Sequence, residues 1–262
     1  MRTLRAVVSY DGTDFAGFQR QANARSVQQV FEEALAQIEG CPVVVSGAGR
    51  TDSGVHALGQ VVSFKITNPI SPGDLKQALN AAFNTIGATD LRVIGVEAAP
   101  ERFNARFDAV RKLYRYRIVN ADLMNPFERR FAWHVPRELN LDLMRRASAP
   151  LVGEHDFSAF QAAGGDIKTS VRRMFCAQWH EAVREDGDRL LTFEVAGSGF
   201  LKYMVRSIVG TLVEIGVGRK DAGTIDALLS SGDRSKVGPT APPHGLYLVR
   251  VDYGEPGPVS SS

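Results

Sequence analysis

Apolar and polar positions along this chain fall into two rhythms, one of period two and one of period near 3.6. Leu4 to Tyr10 is β-branched and stops at Asp11-Gly12, which predicts a strand closed by a turn. Ser26-Val27-Gln28-Gln29 has the spacing of a capping box, with Ser26 as the cap and Gln29 able to reach back. A helix is predicted from Val27 to Glu39, burying Val27, Val30, Phe31, Ala34, Leu35 and Ile38, with Gly40 ending it. Strands are predicted at 42–46, 60–66 and 91–98. Between the last two lies a helix whose first turn holds Pro72 and which runs to about Asn84.

The second half changes the residues but keeps the mixture. Strands are predicted at 111–119, 174–183, 190–195 and 246–253, and helices at 141–151, 200–217 and 221–230. Helices fall between groups of strands without strict βαβ alternation, which argues an α+β fold with mixed or antiparallel sheets. Pro100 and the basic stretch after it place a boundary near 100–110. This gives an N-terminal domain at 1–105, a C-terminal domain at 106–253, and a Gly-, Pro- and Ser-rich tail at 254–262.

Composition narrows the function classes. The 262 residues are 44% hydrophobic and 23% charged, the balance of a folded chain with a sizeable core. Thirty-one basic against 29 acidic residues leave a net charge of +2, so a polyanionic partner must be met by local basic patches. The start of the chain enters a strand pattern with no apolar signal region, and no apolar run approaches the ~20 residues of a membrane span. A cytoplasmic protein with no membrane association is expected. Cys41 and Cys176 form no CxxC or Cys/His cluster, so buried reduced thiols are expected, with neither a zinc site nor a disulfide framework. The five histidines share no metal spacing, and no nucleotide-binding motif is present; neither a metal nor an organic cofactor is expected.

Three segments can carry chemistry. In Ser46-Gly47-Ala48-Gly49-Arg50-Thr51-Asp52-Ser53-Gly54-Val55-His56-Ala57, glycines flank an Arg-Thr-Asp triplet between apolar strands, which can present Arg50 and Asp52 to a ligand. Spacing alone equally allows a polar turn in which Asp52 bonds its own backbone. The 200–217 helix is apolar nearly all round, yet holds Arg206, whose burial demands a carboxylate. That partner is either Asp52 or a structural acid nearby, and an arginine snorkelling to water is the further alternative. Finally, alternation in Arg111–Ile118 puts Lys112, Tyr114, Tyr116 and Ile118 on one sheet face. Upstream lies Arg102-Phe103-Asn104-Ala105-Arg106-Phe107, and cations interleaved with aromatics suit RNA phosphates and unpaired bases. A solvated strand face over core tyrosines is the bland alternative.

The glycine-rich segment, read from Gly47 to Ala57, resembles the signature loop of the TruA-type tRNA pseudouridine synthases. The likeness extends to Tyr10-Asp11-Gly12, Phe15–Gln21, Ser26-Val27-Gln28, Phe103–Phe107, Lys112–Tyr116, Phe200–Arg206 and Gly245–Leu248. It implies the pseudouridine synthase fold, two α/β subdomains with mixed, mainly antiparallel sheets flanked by helices around a central basic cleft. It further implies a cofactor-free isomerase that converts uridine to pseudouridine at positions 38, 39 and 40 of tRNA, working as a homodimer. Carried over residue by residue, Asp52 is the catalytic carboxylate and nucleophile, Arg206 its ion-pair partner, and Arg50 the residue aiding nucleotide flipping and contacting backbone. Tyr114 contacts the target base. Phe103, Asn104, Ala105, Arg106, Phe107, Lys168 and Arg172 are the tRNA-contacting positions. Two departures stand out: Ser53 where alanine is usual, and Tyr203 where histidine is frequent.

Overall fold

In chain order the protein runs β1 (Arg2–Tyr10), α1 (Val27–Glu39), β2 (Ser46–Gly47), β3 (His56–Ile66), α2 (Pro72–Thr85), β4 (Leu91–Ala98) and β5 (Ala109–Asn120). It continues with β6 (Trp133–His134), α3 (Leu141–Ser148), β7 (Gly153–Asp156), β8 (Val171–Val183), β9 (Arg189–Gly197), α4 (Met204–Gly216), α5 (Thr224–Ser231) and β10 (Leu246–Tyr253). The computed structural model describes residues 1–162, 169–185 and 187–254. No helix among the described residues is long and apolar enough to cross a membrane.

Two compact units emerge, Met1–Val110 joined by the chain from Leu248, and Arg111–Tyr247. In the first, the strand order is β4-β1-β3-β10, with β2 added on β3. β1 is antiparallel to both β3 and β4. Its alternation is the one expected: Leu4, Ala6, Val8 and Tyr10 are buried while Arg5, Val7 and Ser9 are half-buried. Ser26 and Ser71 cap the two helices by accepting from the backbone N–H groups of Gln29 and Asp74. The core forms where Phe31 of α1 meets Phe64 of β3 and Phe83 of α2, at ring separations of 5.8 and 5.7 Å. Burying each such ring contributes roughly 2–3 kcal/mol.

In the second unit the order is β5-β9-β8-β7, all neighbours antiparallel, and the short β6 pairs parallel with β5. α4 is buried along its length apart from Arg206 and Glu214. A Cβ at Gly210 would lie 1.7 Å from the Pro239 carbonyl oxygen, so only glycine lets the 238–241 segment cross this helix. The observed mixture of helices with mainly antiparallel strands is the α+β class the sequence predicts.

Several local expectations are corrected. The 42–46 segment is a strand only from Ser46, because its backbone is taken by side chains of α1: Val45 N–H donates to Glu32 at 3.1 Å and its carbonyl accepts from Gln28 at 3.0 Å. The Gln29 side chain does not reach back to its cap but donates to Glu33 at 2.9 Å. The helix expected from residue 200 begins at Met204, since Tyr203 adopts a left-handed φ of 64°. The helix expected over 141–151 ends at Ser148 and tightens into a 3₁₀ turn at Ala149–Leu151, where Pro150 removes a donor. The helix expected from 221 begins at Thr224. The strand from Leu248 onward groups with the first unit, whose β3 it pairs. Cys41 is exposed just beyond the α1 cap, not buried; Cys176 is half-buried, and neither forms a disulfide. Residues 255–262 of the expected tail lie outside the described residues.

Candidate active site

Asp52 sits in the connection between β2 and β3, and the first unit holds this loop mostly by backbone. Thr51 carbonyl accepts from Phe18 N–H at 3.0 Å, and Gly54 N–H donates to Phe15 carbonyl at 3.4 Å. The Ser53 hydroxyl also donates to Phe15 carbonyl, at 3.2 Å, so the serine adds an anchor that alanine would lack. The 12–18 segment must press close to do this. A Cβ at Gly12 would fall 2.0 Å from the Val55 carbonyl oxygen. Gly17, at φ +104°, would place one 2.7 Å from the Thr51 oxygen. The loop then turns on itself through Val55 N–H to Asp52 carbonyl, 3.1 Å.

Beneath the loop lies a buried polar floor. The Tyr10 hydroxyl meets the Thr51 hydroxyl at 2.8 Å, and Gln60 donates to Gly49 carbonyl at 2.8 Å. Burial pushes the Tyr10 phenol up to about 12, only partly offset by its bonds to Thr51 and Gln60. His56, 1% exposed, accepts from Gly12 N–H at 3.0 Å through Nδ1 and lies 3.1 Å from Asp11. Thr51 is buried, Asp52 half-buried and Arg50 exposed. Side chains alternate between anchoring and presentation along these three positions. Tyr10, Thr51, Gln60 and His56 carry no role in the sequence reading, although Tyr10 lies in the Tyr10-Asp11-Gly12 motif and Thr51 and His56 in the Gly47–Ala57 loop.

Also in the first unit, the Phe103–Phe107 segment divides into an anchored and a presented half. Ala105 is fully buried, its N–H donating to Ser63 Oγ at 3.0 Å and its carbonyl accepting from Tyr253 at 2.8 Å. Ala105 thus holds the segment and offers no surface. Phe103 packs edge-on against Tyr253 at 5.0 Å. Asn104 accepts from Arg106 N–H at 2.9 Å and Phe107 N–H at 3.3 Å, fixing the turn that exposes both side chains. The Arg106 guanidinium lies 5.5 Å from the Phe107 ring, and Phe107 is 77% exposed.

In the second unit, Tyr114 and Tyr116 share the inward face of β5. Tyr114 is 7% exposed and meets Phe200 edge-on at 4.9 Å. Tyr116 donates to Pro242 carbonyl at 2.7 Å, and burial raises its hydroxyl well above the ordinary phenol range, offset in part by the Arg206 charge. Arg206, half-buried, donates from Nε to Ala241 carbonyl at 2.7 Å and lies 4.7 Å from the centre of the Tyr203 ring. Arg172 spends its Nη1 on Thr169 and Val171 carbonyls at 2.8 and 2.6 Å, so its guanidinium shapes the start of β8. Lys168 lies outside the described residues. The structure therefore groups Asp52, Arg50 and 103–107 in one unit, and Tyr114, Arg172 and Arg206 in the other.

The family of tRNA pseudouridine synthases matches residues 6–108 and 147–254, and the chain belongs to it. Among relatives, the chain is 44% identical over 253 residues to tRNA pseudouridine synthase A of Geotalea uraniireducens (strain Rf4), covering 97% of this chain and 100% of that protein. It is 42% identical, with the same coverage, to the protein of that name from Ruminiclostridium cellulolyticum. These likenesses make it a TruA-type enzyme, an isomerase acting on uridine in tRNA.

Proposed function

We propose that this enzyme forms pseudouridine at positions 38, 39 and 40 of the tRNA anticodon arm, with Asp52 as the reacting carboxylate and no cofactor. The reaction balances without one. The C1′–N1 bond breaks, the uracil turns, and C1′ bonds to C5; the C5 hydrogen leaves as a proton while N1 takes one up, so no electrons are gained or lost. An ionised carboxylate engaging the nucleoside is the one strong nucleophile or base this requires. The observation that carries the reading is the immobilisation of Asp52: four flanking positions, Thr51, Ser53, Gly54 and Val55, are tied down while Asp52 itself stays half-buried.

Arg206 is the cation that keeps this carboxylate ionised and oriented, its own guanidinium fixed by Ala241 and Tyr203. Tyr114 receives the target base once it leaves the stack, a step costing a few kcal/mol. Arg50, exposed at the loop, meets the backbone of the displaced nucleotide. Exposed Arg106 and Phe107 contact tRNA as cation and stacking surface. The enzyme works as a homodimer in the cytoplasm.

The decisive experiment incubates the protein with unmodified tRNA and maps pseudouridine by chemical probing. Wild type modifies positions 38–40; Asp52→Asn binds tRNA within about threefold of wild type yet forms none. Unchanged product from Asp52→Asn removes this residue from the chemistry, and product confined to another arm removes the site assignment.

A further inference from the structure

Tyr203 is the only non-glycine residue at positive φ among the described residues. Left-handed backbone is uncommon for any side chain with a Cβ and rarer for bulky ones; asparagine, aspartate and histidine tolerate it best. Such strain persists where surrounding structure imposes it, and it gathers at functional sites. Position 203 is also the cap of α4, and three of the four other α-helices show what a capping side chain does, the cap of α5 being Gly223. Ser26, Ser71 and Asn140 take negative φ values of −123°, −64° and −77°, and each accepts a backbone N–H of the first turn. Tyr203, at φ 64° and ψ 1°, makes no side-chain capping bond. Its side chain is not used to cap the helix; only its carbonyl serves the first turn.

What the unusual backbone does achieve is the placement of a ring. Tyr203 and Arg206 are three residues apart, one helical turn, and the guanidinium carbon lies 4.7 Å from the ring centre. Lys202 Nζ lies 5.4 Å from the same ring. Backbone on both sides is pinned: Tyr203 carbonyl accepts from Ser207 N–H at 2.8 Å, and Lys202 carbonyl from Ala162 N–H at 3.1 Å. The Arg206 head is thereby fixed twice, by a carbonyl at Nε and by an aromatic face.

We infer that Tyr203 is a positioning residue for the isomerisation, its strained backbone retained because it sets an aromatic ring against Arg206 and limits where that cation can point. This rests on the role of Arg206 proposed above. The test compares Tyr203→Phe, Tyr203→Leu and Tyr203→Asn with wild type and Arg206→Met, measuring kcat, KM for tRNA and melting temperature. Asparagine suits the left-handed backbone but has no ring; leucine keeps bulk without a π face; phenylalanine keeps the ring without the hydroxyl.

The expected result is a kcat about five- to tenfold lower for the asparagine and leucine variants, with KM within twofold and phenylalanine restoring wild-type kcat. Tyr203→Asn melts no lower than wild type, so its loss of rate cannot be assigned to unfolding. Should it fail to fold, the Phe/Leu pair decides. Wild-type kcat in either ringless variant overturns the inference, as does a phenylalanine variant as slow as leucine. If Arg206→Met is itself fully active, the parent reading falls; if it is inactive while the ringless variants match wild type, only this inference falls.

Discussion

The Asp52 loop and the Arg206 helix solve opposite problems. The loop carries a flexible backbone and a small side chain, and it is fixed by main-chain bonds that glycines make possible: Gly12 and Gly17 bring a neighbouring segment within reach of Thr51, Gly54 and Val55. Arg206 stands on a rigid, buried helix but ends in a long side chain, and it is fixed at its tip by a carbonyl and a ring. Where the backbone is loose the fold restrains the backbone; where the side chain is loose it restrains the head group. In both regions the restraint is applied wherever the freedom lies, which is what the catalytic roles proposed for Asp52 and Arg206 require.

The sharpest way to break this comparison is at the cation. Arg206→Met is expected to lower the rate of pseudouridine formation at least about a hundredfold, read in a single-turnover assay; a fully active, equally stable variant refutes the ion-pair role. On the loop side the damage shows first as stability. In Gly12→Ala the new methyl meets the Val55 carbonyl, costing about 2–3 kcal/mol, and calorimetry is expected to record a melting temperature lower by about 5–10 °C.

The floor of the loop gives a pH signature. The Tyr10 hydroxyl has its ordinary value near 10 in the unfolded chain but about 12 in the fold, so between these values the folded state keeps a proton the unfolded state has lost. Stability is therefore complete below pH 10 and declines as pH rises toward 12, by on the order of 2 kcal/mol for this group. Urea titrations at pH 9, 10 and 11 are expected to show the decline, and Tyr10→Phe to make it shallower. The smallest effect is expected on the arginine side, where Tyr116→Phe leaves the Pro242 carbonyl without its donor. A loss of about 1 kcal/mol in denaturant unfolding is the expected outcome.

The sequence shows most of the secondary elements because their signals are local. Ser26 and Ser71 mark helix starts that the structure keeps. Alternation in β5 places Tyr114, Tyr116 and Ile118 on the buried face. What it hides depends on distant partners. The 42–46 segment reads as a strand until Gln28 and Glu32 claim its backbone. Gly-Glu-His-Asp in β7 has no apolar alternation and is a strand only through its pairing with β8. Tyr203 looks like another residue of a long helix; nothing in Phe-Leu-Lys-Tyr-Met-Val-Arg announces a left-handed backbone. At the site, the motif exposes Arg50 and Asp52 to view, but the polar floor under them is assembled from residues 40 to 50 positions away, such as Tyr10 with Thr51 and Gly12 with His56. Pattern reading has no means of joining these.

The return of the final strand to β3 carries a consequence for biosynthesis. A ribosome releases the first 110 residues with the outer flank of β3 covered only where β2 pairs it, then makes all of Arg111–Tyr247, and only afterwards supplies the strand that completes that flank. The unit bearing the Asp52 loop is thus begun before Arg111–Tyr247 and completed only after it, and a nascent chain stalled before Leu248 exposes a strand margin able to capture other polypeptides.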